Sequence, residues 1–289
     1  MLLYIFIVIT VLLIVKPTVN AIFVSELGAD KLPFGYLMVA GVAVLTSYFY
    51  NKAIRKFSLV KVTVLSIITF SLIFLVLSAV LKLSLINDVL LYFYYVFISL
   101  FAVVATSQFW LFANMVYNAR EAKRNFGFIG AGAIAGGIFG GYLTSIIAVN
   151  FGNEYVILLA ALLLLLCIPI LKQVYQLRIK YLNSFKRKQV IAKKDTLESS
   201  SLQLIRKSKH LTYIALITGI GVIVAKLVDF QFSDFANKTI PNSDDLAAFF
   251  GFWFSTFNLV ALTVQLFLTN KILTKLGVST SLLVLLLSI

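Results

Sequence analysis

Val15-Lys16-Pro17-Thr18-Val19-Asn20 has a counterpart later in the chain, Ala225-Lys226-Leu227-Val228-Asp229, and these two stretches decide the fold. Each lysine lies deep inside a long apolar run. A lysine near the centre of a bilayer costs about 2.5–3.5 kcal/mol on insertion scales. Two such charges at matching places predict a polar site between two similar halves of a membrane protein.

The composition also indicates a membrane protein. The 289 residues are 61% hydrophobic and 12% charged, with a mean hydropathy of +1.01, whereas soluble domains are about 45–50% apolar and about 25% charged. Apolar runs of about 20 residues predict helices near 2–25, 34–50, 62–82, 89–116, 126–149, 154–173, 211–235 and 246–270. A ninth run begins near residue 278 and is too short to cross by Ile289, so we expect the chain to end in mid-membrane.

The distribution of basic residues predicts the orientation of the protein in the membrane. Most of the 25 Lys and Arg lie in the connections after helices 2, 4, 6 and 8. The positive-inside rule then places the N-terminus and the basic linker, residues 174–210, in the cytoplasm. We therefore expect a multi-pass protein of a bacterial inner membrane. The net charge of +14 is explained in this way without a nucleic-acid partner.

The linker has a pattern of its own. Apolar residues recur at helical spacing between Val174 and Phe185, with basic residues around them. This pattern predicts an amphipathic helix that lies on anionic lipid. A simple solvated linker is the alternative.

Two loop sequences suggest an internal duplication. Asn51 to Phe57 and Asn270 to Leu276 both begin with Asn-Lys and follow a long apolar helix. With the two lysine segments, they predict an N-terminal six-helix half (1–173), the basic linker (174–210) and the start of a second half (211–289). This order resembles that of major facilitator proteins, whose substrate site lies between two repeats. We predict an all-α membrane protein with a major facilitator-type bundle that lacks most of its last four helices.

Six residues are candidates for substrate binding. Lys16 and Asn20 share a face of helix 1, and Lys226 and Asp229 share a face of helix 7. Pro17 removes a backbone donor and frees a carbonyl beside Lys16. Gln108 and Asn114 place amides on helix 4, where interhelical hydrogen bonding is their alternative role. For the lysines, the alternatives are a purely structural Lys16–Asp229 pair and extension of the side chains to the membrane surface.

Other motifs point to packing rather than chemistry. On helix 5, Gly132, Gly136 and Gly140 form one four-residue ladder, and Ala133, Gly137 and Gly141 form another. Small residues at this spacing predict close helix contacts. The single Cys167 and the single His210 rule out an intrachain disulfide and a histidine metal cluster. The sequence has no Ser/His/Asp set and no Walker motif, so we expect neither an enzyme nor a cofactor.

Several blocks resemble a known family. Phe109-Trp110-Leu111-Phe112-Ala113-Asn114, Glu121-Ala122-Lys123-Arg124-Asn125-Phe126 and Gly130-Ala131-Gly132 resemble helices 4 and 5 of the bacterial and plastidic ATP/ADP translocases, a nucleotide transporter family within the major facilitator superfamily. Asp229-Phe230-Gln231-Phe232, Phe249-Phe250-Gly251, Asn258-Leu259 and Gln265-Leu266-Phe267-Leu268-Thr269 are similar to helices 7 and 8 of related bacterial proteins. The resemblance implies nucleotide transport by an antiporter, with Lys16 in the place of the family's nucleotide-binding lysine.

Together these features predict a secondary transporter that moves an anionic solute by alternating access, and the resemblance adds nucleotides as candidates. The alternative is a transporter-like scaffold or anchor subunit of a larger complex that moves nothing. The expected partners are a small anionic substrate and membrane lipids, with protein partners in the scaffold alternative.

Overall fold

The computed structural model describes residues 1–117, 119–179 and 208–264. Within them, eight helices are long and apolar enough to cross a membrane, as predicted. They are α1 (Leu2–Leu27), α2 (Leu32–Lys56), α3 (Leu59–Lys82), α4 (Asp88–Val116), α5 (Ala119–Phe151), α6 (Asn153–Val174), α7 (Lys209–Thr239) and α8 (Ser243–Val264). The described residues contain no strand. The ninth apolar run, the end of the predicted eighth helix and the second half of the predicted linker helix lie outside them.

The helices are longer than the apolar runs that predict them. The loop predicted from Asn51 forms the last turns of α2, and the loop predicted at Arg120 to Arg124 forms the first turns of α5. Lysine and arginine are good helix formers, so a basic segment leaves the hydrocarbon without ending the helix. Polar side chains cap the next helices. The Ser58 hydroxyl accepts from the Lys61 N–H at the start of α3, and the Asn87 side chain accepts from the Leu90 N–H at the start of α4.

Helix α1 is the centre of the bundle. It packs against α4, α5, α6 and α8, and Val11, Ile14 and Val15 are fully buried. A helix enclosed on every side needs apolar residues all round, which explains its nearly unbroken hydrophobic sequence. The carbonyl of Leu13, which loses its helical donor because of Pro17, lies 3.3 Å from the Thr144 hydroxyl of α5, which also contacts the Gly140 carbonyl at 2.9 Å. Release of this carbonyl for a ligand stays a prediction.

The first glycine ladder of α5 packs against α1. A Cβ at Gly132 would lie 2.9 Å from Leu2 Cγ, one at Gly140 would lie 2.5 Å from the Thr10 carbonyl oxygen, and one at Gly136 would overlap the Phe6 carbonyl. The Thr10 hydroxyl also donates to the Gly136 carbonyl at 3.1 Å. The predicted close contact of backbones is confirmed on this face.

The second ladder faces α8. A Cβ at Gly137 would lie 3.0 Å from Asn258 Cγ, and one at Gly141 would overlap the Ser255 hydroxyl. The Ser255 hydroxyl donates to the Ile138 carbonyl at 2.8 Å. Helix α5 therefore contacts α1 with one small-residue face and α8 with the other, and it joins the two predicted halves.

The two ends of the bundle differ. We call the end with the connections at 28–31, 83–87, 152 and 240–242 the distal end, and the opposite one the basic end. Near the distal end, α7 contacts α1 and the turn Ala29–Lys31, and Ala236 is buried. Toward the basic end, residues 213–225 of α7 are all exposed. Among the described residues, α7 is thus held mainly by its distal third.

Candidate functional site

A small cleft lies where α1, α4 and α7 meet, with a volume of about 30 Å³. Its polar lining comes from all three helices and consists of Lys16, Asn20, Tyr95, Ser99, Lys226 and Asp229, with Val19 and Ile98 as apolar walls. Four of the six predicted site residues therefore share one space. They come from both predicted halves, since α1 and α7 carry the two matching lysine segments.

Lys226 is held by an ion pair and an aromatic ring. Its Nζ lies 3.0 Å from Asp229 Oδ2, one helical turn away, and the two side chains are 41% and 20% exposed. The same Nζ lies 4.7 Å from the ring centroid of Tyr36 on α2, a distance at which a cation is attracted to an aromatic face. The Tyr36 hydroxyl donates to Asp229 Oδ2 at 3.4 Å. The charge of Lys226 is thus balanced within α7, and α2 supports the pair.

Lys16 has a different environment. It is exposed to the cleft although residues 14, 15, 17 and 18 on either side of it are buried. Within the described part of the chain, no ion pair joins Lys16 to an acid, and the one acid in the cleft, Asp229, pairs with Lys226. Lys16 and Asp229 therefore make no direct ion pair, and the structural Lys16–Asp229 pair stays a prediction.

Asn20 closes the cleft on its distal side. Its side-chain Nδ2 donates to the Ser233 hydroxyl of α7 at 3.1 Å, and both residues are buried. A hydrogen bond with no competition from water is stronger than an exposed one. Asn20 therefore links the two predicted halves just beyond the two lysines.

Gln108 and Asn114 do not line the cleft. Gln108 is buried and donates to the Ser66 hydroxyl of α3 at 2.8 Å, and Asn114 is exposed. At 1.5 Å per residue, Gln108 lies about 13 Å along α4 from Ser99, too far to reach the lysines. The contact with Ser66 is of the interhelical kind that the sequence left open as an alternative, and the role of these two residues in binding stays a prediction.

Three residues of the site were not predicted from the sequence, namely Tyr36, Tyr95 and Ser99. Tyr95 and Ser99 are four apart on α4, a spacing that a search for polar pairs on one helix face would have found. A Cβ at Gly35 would lie only 3.0 Å from Tyr95 Cε1, so this glycine makes room for the Tyr95 ring. Tyr36 lies in an apolar helix and carries no such pattern, so only the packing of α2 reveals it.

The cleft lining contains two amines, one amide, two hydroxyls and one carboxylate. In the part of the chain that the structure describes, no three His, Cys, Asp or Glu side chains come together as metal ligands would. Amines and hydroxyls are hydrogen-bond donors, and the carboxylate is an acceptor.

A comparison with protein-family models agrees with this architecture. The model of the Major Facilitator Superfamily matches residues 1–289, the whole chain. Comparisons with curated proteins and with solved structures found no match. From the extent of the family match and the bundle of membrane-spanning helices, the chain belongs to the major facilitator superfamily, a family of secondary transporters.

Proposed function

We propose that this protein carries an anionic solute by alternating access and that the solute binds between Lys16 and Lys226. One observation carries the proposal: Lys16 faces the same cleft as the Lys226–Asp229 pair and has no ion pair of its own among the described residues. The cleft therefore holds two amines and one carboxylate, and the carboxylate pairs with Lys226. An anion would supply the missing countercharge.

Lys16 and Lys226 both lie within helices that are long and apolar enough to cross a membrane. A charge at this depth is unfavourable unless it is paired or solvated. Water in the cleft can solvate Lys16 when no solute is bound, and an anion would replace that water with a direct charge-assisted hydrogen bond. Asp229 and Tyr36 would hold Lys226 in place until the anion competes for it.

The size of the cleft sets a condition on binding. Pockets for small molecules usually measure about 300–1,000 Å³, and this cleft measures about 30 Å³. A solute larger than a few atoms would require α7 to move away from α1 and α4. The few contacts of α7 toward the basic end are consistent with such a movement.

Nucleotides are the specific solutes that we propose, because Phe109–Asn114 and neighbouring blocks resemble ATP/ADP translocases. On this proposal Lys16 and Lys226 would contact the phosphates, and Tyr95 would offer a ring beside them. Exchange of one nucleotide for another is the mode of transport that the resemblance implies.

A ligand screen with matched variants tests the proposal. The purified protein is heated with nucleotides, phosphate esters or carboxylates, since a ligand at 100 times its Kd stabilises by about 2.7 kcal/mol. A true ligand should raise the Tm of the wild type and leave that of Lys16→Ala unchanged. Lys31→Ala, which removes an exposed lysine beside Asp30, should respond like the wild type.

The outcomes separate the two function classes. Stabilisation that depends on Lys16, together with uptake or exchange of the same compound in proteoliposomes, supports the carrier. Equal responses of wild type and Lys16→Ala would remove Lys16 from the site. A folded protein that responds to no anion and transports none would favour the scaffold alternative.

A further inference from the structure

Helix α6 begins without a side-chain cap of its own. Its N-cap is Gly152, with φ at 93° and no side chain to accept a hydrogen bond. The first N–H groups of a helix have no partner inside the helix. The start of α6 therefore needs an acceptor from elsewhere in the protein.

Helix α8 supplies that acceptor. Oδ1 of Asp244, in the first turn of α8, accepts from the backbone N–H of Asn153 at 3.0 Å. The neighbouring Ser243 hydroxyl lies 3.4 Å from the Asn153 Nδ2, which donates to it. Asn153 is only 4% exposed. A carboxylate at this position also interacts favourably with the positive end of the α6 dipole.

The cap crosses the boundary between the predicted halves. Helix α6 ends the first half and α8 belongs to the second, and the contact lies at the distal end with the connections at 152 and 240–242. Two other contacts also join the predicted halves: Asn20 binds Ser233 at the distal side of the cleft, and α5 packs against α8 at Gly137 and Gly141. At the opposite end, residues 213–225 of α7 are exposed.

We propose that Asn153, Ser243 and Asp244 form a latch that holds the distal end of the carrier closed and breaks when that end opens. The latch rests on the proposed alternating access. A contact that exists in only one of two states shifts their equilibrium by the free energy of that contact. When the distal end opens, α6 loses its cap and the Asn153 amide meets water.

Thiol labelling tests the latch without any substrate. Ala236→Cys reports on the distal end, because Ala236 is 1% exposed near the end of α7. Cys167 is fully buried in α6 and serves as an internal control for unfolding. The protein is reconstituted in lipid nanodiscs and treated with a charged methanethiosulfonate reagent, and the modification of each cysteine is followed by peptide mass spectrometry.

Three variants carry the comparison. Asp244→Ala removes the acceptor and should raise the labelling rate of Cys at position 236 about fivefold, the population change expected from loss of a typical helix cap. Asp245→Ala removes an exposed carboxylate from the same turn and should leave the rate unchanged. Asp244→Asn keeps an oxygen acceptor and should label at nearly the starting rate.

Labelling at position 236 that rises in Asp244→Ala alone, with Cys167 still protected, supports the latch. The proposal is overturned if Asp244→Ala and Asp245→Ala label alike, or if Cys167 becomes reactive together with position 236, because Asp244 then serves only folding. Since no anion is added, the two proposals fail separately. A latch result without anion binding would overturn the substrate class, and anion transport without a latch result would overturn the latch.

Discussion

Helices α1 and α7 carry the two matching lysine segments, yet the protein surrounds them in opposite ways. Helix α1 is enclosed by four other helices, and Val11, Ile14 and Val15 near its centre are fully buried. Helix α7 is exposed over residues 213–225 and contacts the rest mainly near the distal end. The packing around α1 fixes Lys16, whereas Lys226 is fixed by its own helix through Asp229. Similar local sequences thus place two charges in one cleft by different means.

The first prediction tests the enclosure of α1 and has the largest expected effect. Gly136→Leu would place a side chain where the Phe6 backbone lies, so α1 would have to move away from α5. We expect the free energy of unfolding to fall by more than about 3 kcal/mol, the upper range for overpacking. The effect would be seen as low expression or a lowered Tm in detergent. Gly219→Leu in α7 and Gly127→Leu in α5, where an added Cβ meets nothing within 4 Å, should be tolerated. Equal behaviour of all three would show that α1 is not held by the ladder.

The second prediction concerns Lys16, which has no ion pair among the described residues. Lys16→Ala should lower uptake or exchange in proteoliposomes at least about tenfold while the protein stays folded, because the anion loses a charge-assisted contact. Lys16→Arg should rescue poorly, since a planar guanidinium does not reproduce a compact ammonium. Normal transport by the alanine variant would overturn the proposed site.

The contrast between α1 and α7 also shows what the sequence could predict. Eight membrane helices, the close contacts of Gly132 and Gly137 and the meeting of Lys16 with Lys226 follow from apolar length, small-residue spacing and the cost of buried charge. The positions of Gln108 and Tyr36 do not, because they depend on how each helix is rotated about its axis. Hydrophobic helices with apolar residues on every face carry little information about that rotation.

The third prediction compares two ion pairs of α7, Lys226–Asp229 in the cleft and Lys238–Asp234 on the exposed face. Asp229→Ala leaves Lys226 without its carboxylate in the cleft, where an unpaired charge is unfavourable. We expect the Tm to fall by a few degrees, and added anions that occupy the cleft should restore part of the loss. Asp234→Ala breaks the Lys238–Asp234 pair on the exposed face of the same helix and should change the Tm little, because exposed pairs contribute about 0–1 kcal/mol. A Tm change for Asp229→Ala no greater than this control would contradict the importance of the pair.

The last prediction separates the ring of Tyr36 from its hydroxyl and has the smallest expected effect. Tyr36→Phe keeps the aromatic face 4.7 Å from Lys226 Nζ and loses only the hydrogen bond to Asp229, which at 3.4 Å is long. We expect the free energy of unfolding to fall by about 0.5–1 kcal/mol, the lower range for a hydrogen bond. Tyr36→Leu removes the cation–π contact as well, which contributes about 0.5–1 kcal/mol or more when desolvated, so its loss should be about twice as large. The two variants are compared by thermal unfolding in the same detergent, with Tyr48→Phe as an exposed control. Identical losses for Tyr36→Phe and Tyr36→Leu would mean that the Tyr36 ring does not stabilise Lys226, and that α2 supports the pair only through the Tyr36 hydroxyl.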